Sequence, residues 1–324
     1  MDSVRSFVVQ SVSDCTLRRK STGRLRHLTR RIDNPQLCRL SLRQRRLVLA
    51  CLLWFCGFSL AESANPNEAS TDRASRQAAV QSIPFDRLHE QAQNKVWSIV
   101  AEPSLYRRLP VQTIESDPDL YLLLVRNPEI MVNMWQLMDV TKVTVQRTGP
   151  YTFNASDGNG TTTQIELLYG TPEFHVVYAE GIYQGPLLRR QIRGKCVLLL
   201  TSGYSRDPSM RTFVNGRMDV FVQIENTGAE LLARTLTPLF GQSADTNFAE
   251  SMKFVEQVSR VCERNGPGVQ QLLPRLTNVD PNIRTQFGRT AETVYQRVVN
   301  QSTADMFEAR TTPIGSPTTV INRN

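Results

Sequence analysis

The fold is decided by the stretch Arg217–Asn265, which reads RMDVFVQIENTGAELLARTLTPLFGQSADTNFAESMKFVEQVSRVCERN. Its first part, Met218–Ile224, alternates between apolar and polar side chains, which is the pattern of a half-buried strand. After a turn at Glu225–Gly228, apolar residues recur every three or four positions, which predicts two helices. This change of period marks the point where a strand-rich region gives way to a helix-rich one.

Upstream of this switch, the residues from Thr141 onward predict consecutive strands joined by short turns. The best turn signal is Asp157-Gly158-Asn159-Gly160, because Asp-Gly and Asn-Gly pairs readily adopt the positive φ of a hairpin. Strands that follow one another through short turns favour an antiparallel meander, here of about six or seven strands. Such a sheet can present one face to helices and the other to solvent or a partner.

Several helix starts are marked by a polar residue followed closely by proline, which is well tolerated in the first helical turn. They occur at Ser82-Ile83-Pro84, Asp117-Pro118, Asn127-Pro128 and Asp280-Pro281. We therefore expect an α+β protein with an N-terminal helical segment over residues 81–140. A core domain follows over 141–300, with a central antiparallel meander covered by C-terminal helices. Residues 301–324 lose periodicity and predict a loose tail.

Residues 1–61 have the layout of a secretory signal peptide with a long basic N-terminal region. The apolar run Leu47–Leu60 spans about 14 residues, fewer than the roughly 20 that a membrane-spanning helix needs. Arg45 and Arg46 precede it, and Ser59-Leu60-Ala61 supplies small residues for cleavage. The alternative is an uncleaved membrane anchor through residues 47–60. Residues 62–80 are small and polar, so we expect a flexible linker there.

The formal net charge of +8 does not indicate nucleic-acid binding. Residues 1–61 hold 12 of the 38 Lys and Arg residues but 3 of the 30 acidic ones, so the rest of the chain is nearly neutral. A nucleic-acid-binding domain needs its positive charge on the folded surface. We therefore expect no nucleic-acid partner. From the signal-peptide layout of residues 1–61 we expect a location in the periplasm or cell envelope.

Two cysteines, Cys196 and Cys262, remain once the leader and its four cysteines are set aside. An exported compartment is oxidising, so these two residues can form a disulfide. The alternative is a pair of buried free thiols, since free cysteine packs as a small apolar residue. The sequence leaves both open.

The sequence offers few candidates for catalysis. There is neither a zinc-type cysteine spacing nor an HExxH run, so we expect no metal and no cofactor. Glu166 and Glu173 could face each other across the turn at Gly170–Pro172, as the two carboxylates of a glycosidase do. His175 lies in a predicted strand and is the third candidate, because histidine titrates near neutrality.

The most localised polar feature is a basic group formed by Arg189, Arg190, Arg193 and Lys195. On one face or edge of the sheet, these residues could bind an anionic partner such as a lipid headgroup or an acidic glycan. The alternative is a solvated strand edge that charge protects from aggregation.

Three parts of the chain resemble uncharacterised exported proteins of planctomycete bacteria. They are Tyr151–Ser156, Tyr169-Gly170-Thr171-Pro172, and the stretch from Glu225-Asn226-Thr227-Gly228 to Phe254. This resemblance implies export rather than any particular activity. More distantly, the order of antiparallel strands followed by a long helix is similar to helix-grip lipid-binding folds, which hold an apolar ligand between sheet and helix.

Two hypotheses of function follow. The first is a non-catalytic binding or scaffolding module of the cell envelope, for an apolar or anionic ligand, with a lipid, glycan or protein as partner. Its expected surface combines the basic group with an apolar groove between sheet and helix. The second is a secreted hydrolase that uses Glu166, Glu173 or His175. Converging acids around His175 would favour the enzyme, whereas an apolar cavity without them would favour binding.

Overall fold

A meander of six antiparallel strands forms the centre of the fold, as the sequence predicts. The computed structural model describes residues 67–184, 191–225 and 237–311, with side chains given for 67–184, 191–225 and 243–303. Within these ranges the strands are β1 (Leu105–Arg108), β2 (Gln112–Glu115), β3 (Thr144–Arg147), β4 (Thr152–Ser156), β5 (Thr161–Gly170), β6 (Phe174–Tyr183), β7 (Ile192–Arg206) and β8 (Thr212–Ile224). The predicted signal peptide lies outside the described residues.

Seven α-helices in the described ranges complete the α+β fold. They are α1 (Arg73–Gln81), α2 (Glu90–Val100), α3 (Pro118–Arg126), α4 (Pro128–Leu137), α5 (Thr237–Arg264), α6 (Gly266–Leu272) and α7 (Pro281–Thr311). Short 3-10 helices lie at Phe85–Arg87 and Leu273–Arg275. None of the helices in the described residues is both long enough and apolar enough to cross a membrane.

The sheet has eight strands in the described residues, because the N-terminal segment adds two that the sequence did not predict. Both β1 and β2 pair antiparallel with β8, through Tyr106↔Phe221 and Ile114↔Val214 for example. Each of the two strands is four residues long. Too few residues alternate in such a strand for the period to stand out in the sequence.

The predicted flexible linker over 62–80 is wrong for its described part. Ser70 forms a β-bridge with Arg108, and α1 begins at Arg73 with the carboxylate of Asp72 accepting from the backbone N–H of Ser75. Nη2 of Arg108 also donates to the carbonyl of Ser75 at 3.2 Å. The composition of residues 62–80 predicted disorder because α1 is polar. The contacts of Ser70 and Ser75 with Arg108 of β1 hold the segment in place.

The expected helix start at Ser82-Ile83-Pro84 is also displaced. Ser82 ends α1, and α2 begins at Glu90, where Nδ1 of His89 accepts the N–H of Ala92 at 3.1 Å. The predicted starts at Asp117-Pro118 and Asp280-Pro281 are confirmed, since both aspartates accept backbone N–H groups of the first turn. Of the two helices predicted after β8, the second is confirmed within α5, which runs without a break over Thr237–Arg264. Most of the first predicted helix lies outside the described residues.

The predicted loose tail is wrong at its beginning, because α7 continues to Thr311. At its start the tail reads Gln301-Ser302-Thr303, which is polar and exposed, so no apolar stripe predicted the helix there. The predicted hairpin at Asp157–Gly160 is confirmed, with φ of 70° at Gly158 and 108° at Gly160.

Helices cover both faces of the sheet. We call the face that carries Val177, Ala179 and Leu198 the front face, and the face that carries Tyr178, Val197 and Phe221 the back face; the assignments follow from the strand registers. The back face packs against α1 and α2. At one end, over β8, the front face packs against α5 and its helical neighbours. At the other end, over β3 and β4, it packs against α4.

Candidate functional site

The front face carries two apolar rows that run across the middle of the sheet, perpendicular to the strands. The first row places five side chains in register: Phe153, Ile165, Ala179, Cys196 and Val222. The second row places four side chains in register: Leu167, Val177, Leu198 and Val220. Together they form a continuous apolar strip on one side of β4–β8.

The centre of this strip lies between two packed regions. Val220 and Phe153, at the ends of the two rows, belong to buried clusters, and Val222, Leu198 and Ile165 pack against those clusters. Val177, Ala179 and Cys196, in the middle, belong to none of the clusters that the described residues form. Of these three, Ala179 is 7% exposed, whereas Val177 and Cys196 keep part of their surface exposed on the middle of the front face.

A row of small residues borders the strip on the side away from His175. Gly181 and Gly194 are directly paired in this row, with Thr163 on one side and Ile224 on the other. A Cβ built on Gly181 would meet the backbone oxygen of Thr162 at 2.5 Å, so this glycine is needed for close approach of the strands. A Cβ on Gly194 would meet its nearest described neighbour, the carbonyl oxygen of Gln223, at 3.5 Å.

His175 lies on β6 at the other border of the strip, one front-face position before Val177. Its side chain is fully buried. Nε–H of Arg126, at the end of α3, donates to Nε2 of His175 at 3.2 Å. Because arginine can only donate, Nε2 accepts, and the neutral ring carries its proton on Nδ1. Nδ1 is buried and has no hydrogen-bond partner among the described residues.

The electrostatics of this position keep His175 neutral. Burial lowers the pKa of His175 to about 4, and the nearby Arg126 guanidinium adds to the lowering, against a smaller opposing effect of Glu173. Farther along the front face, the hydroxyl groups of Tyr121 and Ser202 are hydrogen-bonded at 2.7 Å. Burial raises the pKa of Tyr121, so its hydroxyl stays protonated at neutral pH.

The three predicted catalytic residues do not converge. Glu166 pairs with Tyr178 in the register and lies on the back face, where Nζ of Lys95 binds its carboxylate at 2.6 Å. His175 lies on the front face, and Glu173 is exposed in the turn before β6. Glu166 and Glu173 do not form the expected facing pair, since the Glu166 carboxylate binds Lys95 on the back face while the charge of Glu173 acts on His175 of the front face.

The predicted basic group is divided. Arg189 and Arg190 lie outside the described residues. Arg193 and Lys195 lie on the back face of β7, and Nζ of Lys195 is 3.4 Å from a carboxylate oxygen of Glu225. The expected surface joins this group to an apolar groove, but the register places Arg193 and Lys195 on the face opposite the apolar strip.

The two cysteines of the body are free thiols, so the disulfide alternative is wrong; Cys262 is buried as the other alternative expects, and Cys196 is partly exposed. Cys196 pairs with Val222, near the end of β8. Cys262 lies at the opposite end of that strand, because it follows Ser259 in α5 and the Ser259 hydroxyl accepts the N–H of Asp117 past the start of β8. That span along the strand is about 30 Å at roughly 3.3 Å per residue, far beyond disulfide reach. Within the described residues, His, Cys, Asp and Glu side chains form no group of three that could hold a metal ion.

Sequence reasoning missed Arg126, whose Nε–H donates to His175. A signal existed: Arg126 closes the predicted helix after Asp117-Pro118, and it is the last residue before the next start at Asn127-Pro128. Only the register of β6 shows that His175 is what it faces.

Comparison with known proteins gives distant structural likenesses. Neither a protein-family model nor a curated protein sequence matches the chain. One similar structure is a conserved protein from Geobacillus kaustophilus, with 11% identity and a TM-score of 0.35, covering 45% of this chain and 90% of that one. Another is the di-domain ARO/CYC BexL from the BE-7585A biosynthetic pathway, with 14% identity and a TM-score of 0.23, covering 57% of each chain. At these scores neither likeness bears on function.

Proposed function

We propose that this protein is a non-catalytic module of the cell envelope that binds an apolar ligand against the front face of its sheet. The observation that supports the proposal is the apolar strip, whose central members Val177 and Cys196 belong to no described buried cluster and keep part of their surface exposed. Apolar side chains arranged in register on a rigid sheet form a preorganised binding surface, and binding sites are mostly apolar with few polar groups.

The separation of the acidic candidates supports binding over hydrolysis. A hydrolase needs an acid and a base within reach of one substrate bond. Glu166 is held by Lys95 on the back face, and His175 is buried on the front face with one nitrogen bound to Arg126. The described residues thus offer a surface for packing more readily than a pair of groups for proton transfer.

Binding is tested with N-phenyl-1-naphthylamine, an uncharged apolar dye that brightens in an apolar site. We expect saturable binding by the wild-type protein. Substitution Gly194→Leu adds bulk to the front face beside the strip and should weaken binding at least tenfold, about 1.4 kcal/mol. The matched control is Gly203→Leu, which adds the same side chain to an exposed back-face position of β7.

Gly203→Leu should bind the dye as the wild type does. Absence of saturable binding by the wild type, or equal binding by Gly194→Leu, would contradict the proposal. Export is tested separately by fractionating source cells and sequencing the N-terminus of the mature protein. A mature chain that begins near residue 62 supports a cleaved leader, and a cytosolic chain that retains Met1 would rule export out.

A further inference from the structure

Three Asn-Gly dipeptides occur in the sequence, and the fold places them in different surroundings. They are Asn159-Gly160, Asn215-Gly216 and Asn265-Gly266. Asparagine is a thermally labile residue, because the backbone nitrogen of the next residue can attack its side-chain amide. Glycine in the next position favours the attack, since it has no Cβ to hinder the approach. The three dipeptides share one intrinsic chemistry, so the fold decides which of them reacts.

Asn159-Gly160 lies wholly outside the helices and strands, in the hairpin between β4 and β5. Asn159 is exposed, and in the described structure its side-chain nitrogen makes one long hydrogen bond, to the carbonyl of Asp157 at 3.4 Å. The N–H of Gly160, whose nitrogen is the nucleophile once it is deprotonated, donates to no acceptor among the described residues. Neither reacting group is therefore held in place by a strong contact.

Asn215-Gly216 is held by the sheet. It lies within β8, which pairs at this point with β7 on one side and with β2 on the other. Oδ1 of Asn215 accepts the hydroxyl of Thr113 at 2.6 Å, and Gly216 is buried. The backbone would have to leave the ladder for the nitrogen of Gly216 to reach the side chain of Asn215, so the sheet protects this dipeptide.

Asn265-Gly266 is held by the start of α6. Oδ1 of Asn265 accepts the N–H of Gly268 at 3.0 Å and so caps this helix. A Cβ built on Gly266 would meet the side chain of Tyr295 at 2.6 Å, so this glycine is packed against α7. An attack here would cost both the cap and the packing.

Asp157-Gly158 could form the same type of ring with loss of water, but its carboxylate is held. It accepts the N–H groups of Asn159 and Thr161 at 2.7 and 2.9 Å, and the hydroxyl of Thr161 at 2.6 Å. Burial alone would raise the pKa of Asp157, but these hydrogen bonds lower it, so the group stays ionised at neutral pH. An ionised carboxylate resists a nucleophile, which favours reaction at Asn159 over Asp157.

We infer that Asn159 is a site of spontaneous deamidation in the folded protein. The nitrogen of Gly160 bonds to Cγ of Asn159, the Cγ–Nδ2 bond breaks, and Nδ2 leaves as ammonia with the proton from Gly160. Water then opens the resulting succinimide at either carbonyl, giving aspartate or isoaspartate. Both products add a negative charge beside Asp157, and isoaspartate also lengthens the backbone that the Asp157 carboxylate spans. This modification is independent of the proposed ligand binding.

The full chain is incubated at 37 °C and pH 8, and its peptides are mapped by mass spectrometry with fragmentation that distinguishes isoaspartate from aspartate. We expect Asn159 to react at least tenfold faster than Asn215 and Asn265. In guanidinium chloride, where the chain is unfolded, the three asparagines should react at similar rates, because neither the sheet nor the helix start then protects two of them. The unfolded sample is thus the control for intrinsic reactivity.

A matched pair of variants tests the assignment through charge. Anion exchange of the incubated wild type should resolve a more acidic species that grows with time. Asn159→Gln should lose that species, because glutamine would have to form a larger ring and reacts far more slowly. The control is Asn154→Gln, which makes the same substitution at an exposed position of β4. It should accumulate the acidic species as the wild type does.

Two results in the folded chain would overturn the inference. Equal rates at Asn159, Asn215 and Asn265 would show that the fold does not select among the dipeptides. An unmodified Asn159, in an experiment where the unfolded sample reacts, would show that the hairpin protects it as well. Persistence of the acidic species in Asn159→Gln would likewise place the reaction elsewhere.

Discussion

Arg108 and Asp219 join the N-terminal strand β1 to the central strand β8 through a buried ion pair. Nε of Arg108 donates to Oδ1 of Asp219 at 2.8 Å, and the same oxygen accepts the hydroxyl of Tyr106 at 2.7 Å. Asp219 is 1% exposed. Since Arg108 also donates to the carbonyl of Ser75, this one carboxylate supports β1, β8 and α1 together.

Asp219→Asn should therefore destabilise the fold strongly. The substitution preserves shape but leaves Arg108 buried without its counter-charge, and breaking a buried pair in this way costs about 3–5 kcal/mol. Urea unfolding followed by circular dichroism measures the free energy of unfolding. The control is Asp86→Asn, which removes the carboxylate of an exposed pair with Arg87 and should cost less than about 1 kcal/mol. Equal losses in the two variants would refute the role of Asp219.

His175 should make stability fall as the pH is lowered. Its pKa is lowered to about 4 in the folded state, below its ordinary value of 6.5, so the unfolded chain binds the proton more tightly. The stability of the fold with His175 neutral is fully present above pH 6.5, and it is lost as the pH falls toward 4 because the unfolded chain takes up the proton. At about 1.4 kcal/mol per pKa unit, the loss is about 3 kcal/mol.

The measurement compares the unfolding free energies of wild type and His175→Gln at pH 7.5 and pH 4.5. Burial raises the pKa of Glu129 and of Glu263, and these groups change stability in the opposite direction. Both proteins contain them, so the difference between the two pH dependences isolates His175. Parallel pH dependences in the two proteins would show that His175 does not titrate as described.

The sheet and the main helix starts could be predicted from the sequence because they depend on local patterns. The hairpin at Asp157–Gly160 needs positive φ, which its glycines supply, and the carboxylate of Asp157 accepts from the N–H of Asn159 at 2.7 Å. The start at Pro118 is capped by Asp117 one residue earlier. Such features involve neighbours in the chain, so residue type and spacing are enough.

What the sequence did not predict depends on contacts between distant residues. The position of α1 depends on its contact with Arg108. The position of β1 depends on its pairing with the neighbouring strand β8, for example through Leu105↔Val222. The candidate site needs the register of β6, which places His175 and Glu166 on opposite faces. A shift of register by one residue would exchange the two faces, and the irregularity between Leu167 and Tyr169 introduces such a shift without a signal in the sequence.

The two cysteines should behave as inert thiols. Burial raises the pKa of Cys196 to about 11 and that of Cys262 to about 12, so neither forms a reactive thiolate at neutral pH. Ellman's reagent should react slowly with the native protein and should detect both thiols after denaturation. A reductant should leave the thermal midpoint unchanged. A drop of that midpoint on reduction would demonstrate a disulfide instead.

Gly181 and Gly194 are paired in adjacent strands, yet alanine should affect them differently. At Gly181 the new Cβ would lie 2.5 Å from the backbone oxygen of Thr162, so β5 and β6 must separate. The free energy of unfolding should therefore fall by about 1–3 kcal/mol, as at other overpacked sites. At Gly194 the nearest described atom would be 3.5 Å from the new Cβ, which is an ordinary contact. Because alanine reduces the backbone freedom of the unfolded chain, it should leave the free energy of unfolding unchanged or raise it by up to about 1 kcal/mol. Urea unfolding of both variants measures the difference. Equal effects at the two positions would mean that β5, β6 and β7 are not paired in this register, and the apolar strip would be lost with it.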